Sequence, residues 1–296
     1  MKVLIAGASG LVGSALIPPL NADGAEVTRL VRSTPKPGEI EWHPNQDAMD
    51  AARLEGFDAI INLAGENVAG GRWTEDQKRK IHDSRVNGTH LLSEAMAKLA
   101  KPPHAFLCAS ATGFYGDRED EVLDEHSDSG GGFLAGVCRE WEKATEPAVA
   151  AGVRVVNLRF GVILSREGGM LAKLLTPFKM GMGGKVGSGK QFISWVAIDD
   201  VTSAIKLALS DETFRGPVNV VSPNPVTNEA FTKTLGHVLS RPTALAMPAF
   251  AARLAFGEMA DEMLLASQYV VPKRLMDACY EFKYPELEGA LRKYVG

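Results

Sequence analysis

The chain is short of cysteine, of charge of one sign and of long apolar runs, and each shortage removes a class of function. Its three cysteines, Cys108, Cys138 and Cys279, are an odd and scattered set among 296 residues. None of them makes the close pairs that zinc sites and redox dithiols use, so they read as reduced core thiols. Lys plus Arg number 32 against 36 Asp plus Glu, a formal charge of -4 with no long run of either sign. That balance lacks the footprint of a nucleic-acid or membrane binder and suits a small uncharged or anionic metabolite as partner. The first apolar run, Val3 to Ala6, ends at glycine after a few residues. It is too short for a signal peptide's apolar segment or a membrane span, so the protein is expected in the cytoplasm or the organelle equivalent. The six histidines show no metal-ligand spacing, and no metal is expected.

What is present is a repeating alternation. Short apolar runs occur at Val3 to Ala6, Val27 to Val31, Ala59 to Asn62, Ala105 to Ala109, Val153 to Leu158 and Val218 to Val221. Each reads as a buried parallel strand. Helical spacing fills Leu11 to Leu20, Ile81 to Lys98 and Val137 to Val149. The alternation predicts an α/β fold, a Rossmann-type doubly wound parallel sheet, with a smaller and mainly helical C-terminal lobe. Residues 1–165, completed by 197–222, form the expected dinucleotide-binding domain; 166–196, with its glycine-rich stretch Gly181 to Gly189, and 223–296 form the substrate-side lobe. Pro18 and Pro19 predict a kink or an early end of the first helix.

Gly7-Ala8-Ser9-Gly10-Leu11-Val12-Gly13 follows the first strand and opens a helix. Such glycines supply a tight turn, close backbone approach to a pyrophosphate and tight helix packing. Near the end of the second strand, where an NAD-binding chain places an acid, this chain has Arg32. A guanidinium suits a 2'-phosphate, so NADP is favoured over NAD, with Arg29, Lys36 and Arg85 as further candidates. Gly184 to Lys190 has the outline of a P-loop, but Gln191 stands where a magnesium-binding hydroxyl belongs. A glycine-rich loop presenting Gln191, Ser194 and Trp195 to a substrate pocket is the better reading.

The glycine spacing resembles the extended short-chain dehydrogenases/reductases, although Ala6 stands where many members have threonine. Asn62-Leu63-Ala64-Gly65, Ser110-Ala111-Thr112-Gly113-Phe114-Tyr115-Gly116, Arg72-Trp73, Trp141-Glu142, Gly187-Ser188-Gly189 and the segment Gly257 to Asp261 narrow the likeness. Together they resemble the NAD-dependent epimerase/dehydratase family, in its "epimerase family protein" subgroup with a short C-terminal domain of unknown function. The resemblance implies that Asn62 to Gly65 pass beneath the adenosine side of a dinucleotide. It also implies that Ser110, or its neighbour Thr112, is the active-site hydroxyl; Tyr115 is a candidate proton donor, and Glu66 with Asn67 forms a polar cluster on the substrate side. One departure is decisive. The family uses a Tyr that exchanges a proton with substrate and a Lys one turn later that tunes the phenol and holds the ribose. Here Phe133 or Leu134 replaces the Tyr, and Val137 or Cys138 the Lys. The sequence therefore supports two readings: an NADP(H)-binding oxidoreductase or epimerase-like enzyme for an unidentified small metabolite, or a dinucleotide-sensing regulatory protein.

Overall fold

In the computed structural model, which describes residues 1–44 and 49–295, the alternation builds the following elements. The first half contains β1 (Lys2–Ala6), α1 (Leu11–Ala22), β2 (Glu26–Val31), β3 (Glu39–Glu41), β4 (Ala59–Asn62), α2 (Glu75–Ala97), β5 (Ala105–Ala111), β6 (Val122–Leu123), α3 (Phe133–Lys143) and α4 (Glu146–Ala150). The second half contains β7 (Arg154–Phe160), β8 (Val162–Leu164), α5 (Gly169–Lys179), β9 (Phe192–Ile193), β10 (Trp195–Ala197), α6 (Ile198–Ser210) and β11 (Gly216–Val220). It ends with β12 (Val226–Thr227), α7 (Asn228–Leu239), α8 (Ala249–Phe256), β13 (Tyr269–Val270), α9 (Lys273–Asp277) and α10 (Leu287–Val295).

Seven strands form one parallel sheet in the order β11-β7-β5-β4-β1-β2-β3. This is the doubly wound topology, with order reversing between β1 and β4, and all six apolar runs lie in it. Because successive side chains of a strand face opposite ways, the runs feed two cores. Val3, Ile5, Ile61, Leu107 and Leu158 pack with Leu16, Val201 and Ile205 on one face; Leu4, Ile60, Phe106 and Val155 pack with Leu92, Met96 and Trp141 on the other. The seventh strand, β3, reads Glu-Ile-Glu and gives no apolar run to detect.

Three local expectations are corrected. The first helix does not end early but runs through Pro18 and Pro19 to Ala22. Buried Leu16, Ile17 and Leu20 hold it to the sheet, outweighing the lost backbone bonds. The helical stretch at Val137 to Val149 is two helices, divided where Thr145 Oγ1 donates to the Glu142 carbonyl at 2.6 Å and Pro147 enters α4. Cys108 and Cys138 are buried thiols, but Cys279 is exposed.

The tail returns to the sheet. Leu287, Ala290 and Leu291 of α10 belong to the same core as β1 and β5. Asp200, at the start of α6, accepts from the Lys283 and Tyr284 amides at 2.7 and 3.1 Å, and Asp199 accepts from the Tyr294 hydroxyl at 2.5 Å. Among the described residues no helix is long and apolar enough to cross a membrane.

Candidate functional site

The glycine turn joins two separately read motifs. Gly7 has φ +77, and a Cβ there would stand 2.6 Å from the Leu63 carbonyl carbon and 2.7 Å from the Ala64 nitrogen. A Cβ on Gly13 would stand 2.4 Å from the Gly7 carbonyl oxygen. Both positions require glycine by close approach of main chain. Gly10 differs: its amide bonds the Gly7 carbonyl at 3.0 Å, it is exposed, and a Cβ would touch only that oxygen, at 3.2 Å. No side chain caps the N-terminus of α1, unlike α2, which Thr74 caps. The first amides of α1, around Leu11 and Val12, are thus presented with exposed Ser9 at the carboxyl edge of the sheet, where an anion is stabilised.

Arg32 lies just beyond β2 and is exposed, with no hydrogen bond or ion pair in the structure among the described residues. Asn62 supports the segment that follows it. Its side chain is buried, donating to Thr89 Oγ1 at 2.9 Å and accepting from the Ala64 amide at 3.2 Å. It thereby shapes Leu63, Ala64 and exposed Gly65. Arg85 sits under Gly65, where a Cβ would stand 3.1 Å from the guanidinium carbon. Glu66 is half-buried, its amide donating to Ser84 Oγ at 2.9 Å, and exposed Asn67 closes an Asx turn onto the Ala69 amide at 3.0 Å.

At the end of β5 the expected chemistry gives way to architecture. Ser110 and Arg159 are register partners on β5 and β7, so their side chains stand together, and Glu142 of α3 closes over both. Ser110 Oγ donates to Glu142 Oε1 at 2.7 Å, while Arg159 grips the same carboxylate through Nε and Nη2, each at 2.8 Å. Arg159 Nη1 donates to the Tyr115 hydroxyl at 2.9 Å, which in turn lies 2.7 Å from Asn219 Oδ1 and 2.9 Å from the Asp124 carbonyl. The Arg159 guanidinium also stacks 3.5 Å from the Phe114 ring centre. Ser110 is 2% exposed and Tyr115 fully buried. Burial pushes the Tyr115 phenol up to about 12, more than the neighbouring Arg159 lowers it. Ser110 and Tyr115 are therefore members of a buried network, in which the serine's one proton and the phenol's bonds are already used. Thr112 is also buried, at the start of the turn after β5.

Of the residues that stand where a Tyr and Lys are missing, two face the turn after β5. Leu134 and Cys138 lie against that turn: a Cβ on Gly113 would sit 3.4 Å from Leu134 Cβ and 3.9 Å from Cys138 Sγ. Phe133 instead packs edge-on to Trp73 at 5.2 Å. Burial pushes the Cys138 thiol up to about 12, so it is no nucleophile at neutral pH. A hollow of about 180 Å³ opens here, lined by residues including Gly113, Gly116, Asp117, Leu134, Glu262 and Gln268. Glu262, from the C-terminal region, accepts the Phe133 and Leu134 amides at 2.9 and 3.1 Å, bracing the start of α3.

The loop residues expected to face this hollow do not. Gln191 is buried and donates through Nε2 to the Val186 and Leu264 carbonyls at 3.0 and 2.9 Å. Ser194 bridges the Gln268 carbonyl and the Val270 amide at 2.7 and 2.8 Å. Trp195 is fully buried, its indole N–H donating to the Asn224 carbonyl at 3.0 Å. All three tie the 186–197 segment to the tail. Sequence reasoning missed Glu142, Arg159, Asn219 and Glu262. Arg159 and Asn219 left a signal, as polar residues inside strands that are largely apolar.

Comparison with known proteins agrees with this architecture. Residues 3–221 match the model of the NAD dependent epimerase/dehydratase family, and residues 247–294 match a domain of unknown function, DUF1731. An epimerase family protein of Mycobacterium bovis is 42% identical over 290 residues, covering 98% of this chain and 96% of that one. The human epimerase family protein SDR39U1 is 37% identical, covering 100% of both chains. A crystal structure of its isoform 2 with NADPH superposes with a TM-score of 0.92, covering 99% of each chain at 35% identity. By sequence, topology and its glycine turn, the chain belongs to the NAD dependent epimerase/dehydratase family.

Proposed function

We propose that this protein is an NADP(H)-binding oxidoreductase or epimerase-like enzyme acting on a small metabolite in the cytoplasm. The observation that carries the reading is the uncapped helix start at Gly10, fixed by the close contacts of Gly7 and Gly13, in a chain so similar to a human protein crystallised with NADPH. In this reading Gly7, Ser9, Gly10, Leu11, Val12 and Gly13 hold the pyrophosphate, Arg32 takes the 2'-phosphate, Leu63 and Ala64 underlie the adenosine side, and Gly65 lies where the dinucleotide passes on toward β5. Bound there, the nicotinamide supplies the hydride chemistry. Residues 1–165 and 197–222 serve the cofactor; 166–196 and 223–296 enclose the substrate side, where Glu66 and Asn67 are the polar groups at the rim. Leu134 gives no proton, and Ser110 and Tyr115 are bonded inward, so the chain orients its substrate while the proton comes from water or from the substrate itself. General-acid help is worth roughly a hundredfold to ten-thousandfold in rate, so turnover is slow.

The test is calorimetric titration with NADPH and NADH, followed by an NADPH-oxidation assay over a panel of carbonyl compounds. Tight NADPH binding with measurable oxidation supports the enzyme; equal affinity for the two cofactors removes the NADP assignment. A second reading, a dinucleotide-sensing regulator, draws on the inward bonding of both Ser110 and Tyr115. Tight binding with no oxidation on any carbonyl would favour it.

A further inference from the structure

We infer that Arg85 is the cation that anchors the nicotinamide side of a bound dinucleotide, reaching from α2 into the place that a lysine on α3 would occupy. The inference deepens the proposed function and rests on it. Among the described residues three arginines have guanidinium groups drawn toward the interior, and two of them make three bonds each to protein groups. Arg154 donates to the Ala208, Phe214 and Leu209 carbonyls at 2.8 to 3.0 Å, and Arg159 divides its donors between Glu142 and Tyr115. Arg85 is the exception. Of its five N–H donors, one bonds the protein among the described residues, Nη1 to the Ile81 carbonyl at 3.0 Å. No carboxylate of the described residues lies within ion-pair distance of it. Glu66 and the Cys138 thiol are near enough to influence its charge, and burial pulls its pKa down. A half-buried cation that has lost part of its hydration gains when a ligand takes up its free donors.

Its setting fixes which oxygens those donors meet. The guanidinium lies 5.1 Å from the centre of the Trp141 ring and directly beneath exposed Gly65. Gly65 follows β4, and Cys138 lies against the turn after β5. In the sheet, β4 and β5 are on the side of β1 opposite to β2 and Arg32. A dinucleotide with its pyrophosphate at α1 and its 2'-phosphate at Arg32 must extend its other half toward β4 and β5. The oxygens available there are the vicinal hydroxyls of the second ribose, and a planar fork of N–H groups matches such a pair.

The experiment measures the affinity of NADPH and of adenosine 2',5'-bisphosphate, which lacks the second ribose, for wild type, Arg85→Met and Arg32→Glu. Methionine keeps an apolar stem against Trp141 and removes only the donors and the charge. Arg85→Met is expected to weaken NADPH roughly tenfold to a hundredfold and to leave the bisphosphate within about twofold, whereas Arg32→Glu weakens both. The melting temperature of the ligand-free Arg85→Met protein should stay level or rise, because an unpartnered cation has been removed. Equal loss for both ligands would place Arg85 at the 2'-phosphate and overturn the inference. Unchanged NADPH affinity, or a marked fall in ligand-free melting temperature or failure to fold, would make Arg85 structural and overturn it as well. A wild-type chain that binds no dinucleotide overturns the parent reading, and this one with it.

Discussion

The two ends of the cleft differ in how much bonding capacity the fold leaves unused. At the β1–α1 end the helix start is uncapped and Arg32 points into solvent. At the β5–α3 end Ser110, Tyr115, Glu142, Arg159 and Asn219 are bonded to one another. The contrast separates two kinds of motif. Gly7 and Gly13 are required by main-chain contacts, so their presence reports geometry directly. A serine or tyrosine hydroxyl reports only that a polar group is wanted, and the same wording serves an active site or a buried strut.

The largest effect is expected from breaking the strut. Arg159→Met leaves the largely covered Glu142 carboxylate, 13% exposed, without its counter-charge, and removing one partner of such a pair costs up to about 3–5 kcal/mol. Urea denaturation should show this loss, and Glu142→Met with Arg159→Met should recover much of it, because the double variant buries no lone charge. A loss in Arg159→Met under about 1 kcal/mol would break the comparison by showing the network to be loosely held.

The next effect contrasts two glycines of the same loop. Gly13→Ala drives a Cβ to 2.4 Å from the Gly7 carbonyl oxygen, and overpacking of this kind costs about 1–3 kcal/mol. Gly10→Val meets only one oxygen, at 3.2 Å, so it should keep its circular dichroism spectrum and melting temperature yet lose NADPH binding. A Gly10→Val protein that binds normally removes this loop from the site. Smaller still, Arg32→Glu should lower NADPH affinity roughly tenfold to a hundredfold, worth about 1.5–3 kcal/mol, with little change for NADH. Its ligand-free stability should match wild type, since Arg32 bonds nothing among the described residues.

The parts of the molecule readable in advance were those with a local physical signature. Six strands were legible because burial on both faces makes continuous apolar runs, while β3 hid because an edge strand flanked by Glu39 and Glu41 needs only Ile40. The glycine turn was legible for the same local reason. The direction of a side chain was not. Whether Ser110 faces substrate or Glu142 depends on the pairing of β5 with β7 and on α3, residues 32 and more apart in sequence. Gln191, Ser194 and Trp195 bond across 29 to 76 residues to the tail, contacts that no window of sequence displays.

The smallest effect concerns the far edge of the crowded network. Glu125 Oε1 accepts the Asn219 amide at 3.0 Å and the Arg274 amide at 3.3 Å, whereas Oε2 is buried without a partner among the described residues. Burial raises its pKa above the ordinary carboxyl range, the two amides only partly offsetting it. A carboxyl group whose folded pKa exceeds its unfolded value stabilises the fold while protonated. That contribution is complete below the unfolded value, near 4.3, and is lost as pH rises through the higher folded value. Glu125→Gln cannot ionise, so the stability of wild type relative to the variant should be greatest in acid and should decline toward neutrality before levelling. The change should be on the order of 1 kcal/mol, the scale of one imperfectly satisfied buried polar group. Urea midpoints of both proteins between about pH 4 and 8 measure it. A difference that stays flat across that range would show that Glu125 holds the same charge state throughout, and would remove it as the titrating group at the buried end of the cleft.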